Sequence, residues 1–120
     1  MTRERDILLL VGDMLAALDE IDTFAQVGEA VFLGDLRTQR AIERSFEILG
    51  EAANQLPAEP RARYADVPWR VIIDHRNRLI HGYASVEPAR VWQTIVRDLP
   101  GLRVSLERLH SLIRGEQPDQ

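Results

Sequence analysis

Four polar residues near the middle of the chain fall within eight consecutive positions: Arg76, Asn77, His81 and Tyr83. A guanidinium keeps its charge at any ordinary pH and grips phosphate or carboxylate through two parallel N–H bonds. An imidazole, with an unperturbed pKa of about 6.5, donates or accepts a proton at neutral pH. An amide can orient either group, and a phenol offers a hydroxyl. Together these types suit proton transfer at an anionic centre.

The neighbouring residues say how they would be held. Trp69-Arg70-Val71-Ile72-Ile73 leads into Asp74-His75-Arg76-Asn77-Arg78-Leu79-Ile80-His81, so the segment reads as a helix carried up to Gly82, a helix-ending residue. At about 100° per residue, Ile72, Ile73, Leu79 and Ile80 share one broad face, and Arg76 points out of its middle. A guanidinium is costly to bury unpaired, so Arg76 either has an acidic partner or lines a cleft that expects an anion. Asp74, Asn77, Arg78 and His81 fall on the other side. Arg76 and His81 stand roughly 140° apart on an ideal helix, a gap that a long arginine and a fraying last turn can close. The structural alternative gives each residue a plain role: Arg76 pairs with a glutamate of the preceding helix, His81 caps a helix end and Tyr83 packs its ring.

Helices are also what the rest of the chain offers. Ile7, Leu8, Val11, Met14, Leu15, Leu18 and Ile21 recur three and four apart, which predicts a first long amphipathic helix over 2–26. Gly28 and Gly34 bracket a short segment that docks Phe32 and Leu33 onto the bundle. A second helix over 36–55 sets Ala41, Ile42, Ser45, Phe46, Leu49, Ala52, Ala53 and Leu56 on one side, with Pro57 to stop it. Its small residues Ser45, Gly50, Ala52 and Ala53 invite close approach by another helix, and Glu43, Glu47 and Glu51 form a ridge elsewhere on its surface. Glu51, beside Gly50, is the acid best placed to meet Arg76 or an arginine from a partner. A connection over 57–68 allows a helical turn at 61–64, and Pro68 opens the third helix. Ser85 or Glu87 caps a fourth, with Pro88 in its first turn; Pro100-Gly101 must kink or break it. No segment alternates with period two. The expectation is an all-α, up-and-down bundle of four main helices in one domain over 1–115, with a flexible tail over 116–120.

Composition narrows the classes. The chain has 120 residues, a net charge of −4 and no cysteine, which removes disulfides and cysteine-based metal sites. The charge argues against a broadly basic surface that coats nucleic acid, while leaving room for a local cleft. The longest apolar run, 7–11, is too short to span a bilayer, and cytoplasmic residence follows. All 15 basic residues are arginine, a bias of coding composition that carries no mechanism. His75, His81 and Asp74 lie close in sequence but lack the spacing of a helical metal motif, so no metal or other cofactor is expected. His110 reads as a cap or surface residue.

The block Arg76-Asn77-Arg78-Leu79-Ile80-His81-Gly82-Tyr83 resembles the R-x4-H-x-Y signature of the HepT-like toxins, a branch of the all-helical HEPN superfamily. Gly50-Glu51-Ala52-Ala53-Asn54 looks like that group's G-E-A segment, and Trp92 followed by Asp98-Leu99-Pro100 looks like its pattern in the last helix. One departure is visible: His75 stands where many members carry an apolar residue, and it adds a second imidazole near the motif. The resemblance implies a homodimeric ribonuclease toxin paired with a minimal nucleotidyltransferase antitoxin. It implies Arg76 and His81 as the catalytic pair, Asn77 as a supporting polar residue, and Tyr83 as the hydroxyl onto which the antitoxin transfers AMP.

The residue types suit that chemistry on their own terms. Metal-free RNA cleavage needs a base for the 2′-hydroxyl, an acid for the leaving oxygen and positive charge for the phosphorane-like transition state. One chain offers a single His81, so a dimer that sets two motifs along one cleft supplies both acid and base. AMP on Tyr83 would put a bulky anion beside Arg76 and repel RNA. Two other functions compete. One is a non-catalytic dimeric partner of a nucleotidyltransferase that binds nucleotide or RNA; the other is a plain dimerisation module in which Arg76 is structural.

Overall fold

The computed structural model describes residues 3–81 and 87–116, and among them every regular element is a helix. The three- and four-residue spacing near the start produces α1 (Arg3–Ala25), whose Val11, Met14, Leu18 and Ile21 are fully buried. Gly28 then takes a φ of 89°, a conformation other residues adopt only with strain, and turns the chain into the short α2 (Glu29–Gly34). Phe32 of α2 is buried as expected, but Leu33 is 42% exposed. On so short a helix two adjacent residues stand about 100° apart, and only one can face the bundle.

Asp35 caps α3 (Leu36–Gln55), accepting from the Arg37 backbone N–H at 3.2 Å and the Thr38 hydroxyl at 2.7 Å. The Thr38 bond, foremost, holds the Asp35 carboxyl below the usual carboxylate range. Ile42, Ser45, Phe46, Leu49, Ala52 and Ala53 form the buried face of α3, as their spacing predicts. Ser45 donates to Glu20 Oε1 at 3.0 Å, with Ala41 O at 3.2 Å as the alternative acceptor, and so links α3 to α1. The glutamate ridge is a solvated face in part: Glu43 and Glu47 pair with Arg40 and Arg44, one turn earlier.

The connection carries α4 (Ala58–Arg63), a full short helix where the sequence suggests a single turn. The Trp69 indole N–H donates to Tyr64 O at 3.1 Å, and the Pro68 carbonyl accepts from Ile72 N. These bonds fix the start of α5 (Trp69–His81). The next described helix, α6 (Pro88–Arg97), begins with Pro88 in its first turn and Glu87 at the N-cap position, making no side-chain capping bond. The fourth expected helix is two. The break falls at Asp98, and α7 (Leu99–Glu116) starts before Pro100, which therefore sits in a first turn where its missing N–H costs nothing.

α1 packs between α3 and α7, α5 lies against α3 at one edge, and α6 joins α7 and α2. The Phe32 and Trp92 rings, 5.3 Å apart, seat α2 on α6. Arg103 of α7 bridges Asp19 and Asp22 of α1, both at 2.8 Å. The described helices thus form the expected all-α bundle, with five longer helices and two short ones in place of four. No helix among the described residues is long and apolar enough to cross a membrane.

Candidate active site

The site is built on α5, which among the described helices packs chiefly against α3. Ile72 is buried there, Ile73 and Leu79 are half-buried, and Ile80 is exposed, so the apolar stripe is only partly used inside the chain.

Arg76 is set by Gly50. A Cβ added at Gly50 would overlap the Arg76 Cβ, come within 2.8 Å of its Cγ and sit 3.2 Å from the Ile72 carbonyl oxygen. The absent side chain lets α5 close onto α3 and clamps the aliphatic stem of Arg76. Its head then meets no acid among the described residues. Arg76 NH1 donates to Asn77 Oδ1 at 3.0 Å, while Nε is buried without an acceptor. No ion pair joins Arg76 to a carboxylate among the described residues. Of the two roles that the sequence leaves open for a half-buried arginine, the cleft that expects an anion fits this arrangement; pairing with a helix glutamate does not.

Glu51 does not reach Arg76. It is exposed and lines a groove of about 290 Å³ between α1 and α3, with Leu10, Asp13, Glu20 and Ile48. One residue step along α3 rotates it about 100° from Gly50, which takes it off the α5 side. His81 is the last residue of α5 and is exposed; no hydrogen bond joins it to Arg76 within the chain. Tyr83, the expected AMP acceptor, lies outside the described residues, as do Gly82 and Ser85.

His75 turns away from the motif. Its ring meets the Phe46 ring edge-on at 4.7 Å, and it lines a cavity of about 140 Å³ with Leu49, Arg78, Thr94, Asp98 and Leu102. Nε2 is buried without a partner. Burial, and secondarily the Arg78 charge, holds its pKa below the ordinary value, with the Asp98 carboxylate opposing. It is a neutral core-side histidine and not a second imidazole beside Arg76. Among the described residues no three histidine, aspartate or glutamate side chains gather closely enough to hold a metal ion. His110 is half-buried in the interior of α7 and caps nothing.

Sequence reasoning passed over one feature. A cleft of about 590 Å³ opens where α3, α4 and α5 meet, lined by Asn54, Arg61, Trp69, Arg70, Ile73 and Asp74 among others. The signal was present in the spacing: Arg70, Asp74, Asn77 and His81 follow at intervals of four, three and four, one stripe of α5.

Comparison with known proteins agrees with this architecture. The family model described as "Ribonuclease HepT-like" matches residues 14–109. A chain of Thermococcus cleftensis named "Probable ribonuclease HepT" is 34% identical over 98 residues, covering 81% of this chain and 89% of that one. A candidate RNase of Methanocaldococcus jannaschii is 29% identical over 114 residues, 94% of each chain. Another, from Caldanaerobacter subterraneus, is 38% identical over 78 residues, 65% of this chain and 70% of its own. No solved structure matches.

Proposed function

This chain belongs to the Ribonuclease HepT-like family, and from that premise we propose that it is a metal-independent endoribonuclease. The observation that carries the reading is Arg76: a guanidinium with no acidic partner among the described residues, its stem clamped by Gly50 and its Nε–H without an acceptor among them. Such a group is preorganised for a phosphodiester and needs no rearrangement when charge builds on the phosphoryl oxygens.

In the reaction the substrate's 2′-oxygen attacks phosphorus and the bond to the 5′-oxygen breaks. One imidazole takes the 2′-hydroxyl proton, and a second, protonated, gives a proton to the leaving oxygen. His81, exposed at the end of α5, is the group for both tasks, one from each subunit of a homodimer. Asn77 holds the Arg76 head through its side-chain oxygen and keeps an amide N–H₂ for the phosphate. Glu51, exposed beside Gly50, is available to an arginine of a second copy.

The remainder of the proposal follows the family resemblance. The chain is the toxin of a type II toxin–antitoxin pair, and a minimal nucleotidyltransferase antitoxin silences it by transferring AMP to Tyr83. The bulk and charge of that group next to the motif would exclude RNA. The test is incubation of the unmodified chain, made without any antitoxin, with mixed RNA in EDTA. Cleavage supports the reading. Intact RNA in the presence of a well-folded, unmodified dimer overturns it and leaves the non-catalytic partner of a nucleotidyltransferase as the better account.

A further inference from the structure

Three side-chain atoms are buried without a hydrogen-bond partner among the described residues: Arg76 Nε, His75 Nε2 and Arg61 Nε. A buried imidazole can shed its charge, but a guanidinium cannot, so the two arginines pose the same question. For Arg76 the answer is the phosphate at the motif. Arg61 lines the cleft of about 590 Å³, with no carboxylate paired to it among the described residues. Arg70 lines the same cleft from the exposed side of α5, and Asn54 adds an amide. Asp74 is the one acid on its wall, so the cleft is locally cationic in a chain of net charge −4. Its volume falls in the range of ligand pockets and exceeds what a bare phosphate would fill.

The cleft is also aligned with the motif. Arg70 and His81 are eleven residues apart on one stripe of α5, about 16 Å along the axis. We infer that the Arg61–Arg70 cleft is a second phosphate subsite, which holds the RNA strand a few nucleotides away from the bond being cut. The inference rests on the ribonuclease reading. It assigns the substrate a minimum length: a strand must span from His81 to Arg61 to use both sites, and a dinucleotide cannot.

The test uses the full, unmodified chain and 2′-O-methyl oligonucleotides, which lack the attacking hydroxyl and stay intact. Fluorescence anisotropy compares a dinucleotide with an octanucleotide for the parent, Arg61→Gln and Arg70→Gln. Each variant should weaken octanucleotide binding about tenfold and flatten its logarithmic salt dependence by about 0.7 for the lost contact, while dinucleotide binding stays unchanged. Arg70 is exposed, so Arg70→Gln keeps the test decisive even if Arg61→Gln folds poorly. Equal octanucleotide binding by parent and variants overturns the subsite, and so does an equal loss for both lengths. If the parent cleaves RNA while either result is seen, the subsite alone falls. If the parent neither cuts RNA nor binds the octanucleotide, the ribonuclease reading falls and the subsite with it.

Discussion

Gly50 and Arg76 occupy one space: the side chain that Gly50 lacks is where the Cβ and Cγ of Arg76 lie. Gly50→Ala should therefore cost about 2 to 3 kcal/mol of overpacking, the upper part of the usual range because the overlap is with Cβ itself, offset in part by the roughly 1 kcal/mol that alanine gains over glycine in a helix. The expected net loss is about 1 to 2 kcal/mol by denaturant unfolding, with RNA cleavage reduced by more than the stability loss explains. Gly12→Ala is the control. Nothing lies within 4 Å of a Cβ there, and the change should be neutral or stabilising. Equal stability of Gly50→Ala and the parent would show that α5 does not depend on this contact.

His75 makes stability depend on pH. The folded chain keeps its imidazole neutral, because burial first and Arg78 second lower its pKa, against the pull of Asp98. The unfolded chain takes up the proton near 6.5. The folded state is therefore the poorer proton binder: its stability is fully present above that value and declines as pH falls through it toward the lower folded pKa. His75→Leu should flatten this part of the profile of Tm against pH. An unchanged slope would mean that the imidazole gains a charge partner on protonation.

Much of this was legible in the sequence. The buried face of α3 follows its three- and four-residue spacing, because one side of that helix is covered by α1 and α5. Gly50 reads as a place of close approach, but a one-dimensional pattern cannot name the residue that approaches, so its fit to Arg76 needs the fold. The same limit applies to Glu51: beside Gly50 in sequence, it is a rotation away from Arg76 in space and keeps only the second of its expected roles, toward an arginine of a partner. The break before α7 was sought at Pro100, since proline is an obvious stop, yet a helix can begin just ahead of a proline as readily as end at one. The α5 wall of the Arg61–Arg70 cleft shows in the spacing of Arg70 and Asp74, but the Arg61 wall depends on where a short connecting helix folds back, which no periodicity encodes.

The open face of α5 predicts the dimer surface. Ile80 is 44% exposed at the edge of the apolar stripe, beside half-buried Ile73, whereas Val71 stands on the opposite side, about 180° round the helix. Ile80→Glu should shift the chain from dimer to monomer in sedimentation at micromolar concentration, and cleavage should fall with the dimer. A stable Ile80→Glu dimer would place the interface elsewhere.

Tyr83 separates cutting from silencing. Tyr83→Phe should cut RNA at the parental rate and accept no AMP from a nucleotidyltransferase antitoxin, as mass spectrometry of the mixture would read. A mutant that still gains the AMP mass, or is still neutralised, would move the acceptor to another residue.

The most direct measurement of the central claim is metal-free RNA cleavage by Arg76→Gln and by His81→Ala beside the parent, each first verified as a folded dimer. Loss of one phosphate clamp or one acid–base group is expected to lower the rate by about 10² to 10⁴. Both variants should show such losses, with RNA still bound by His81→Ala. Parental rates in either variant would contradict it, because the chemistry would then reside outside the Arg76–His81 motif.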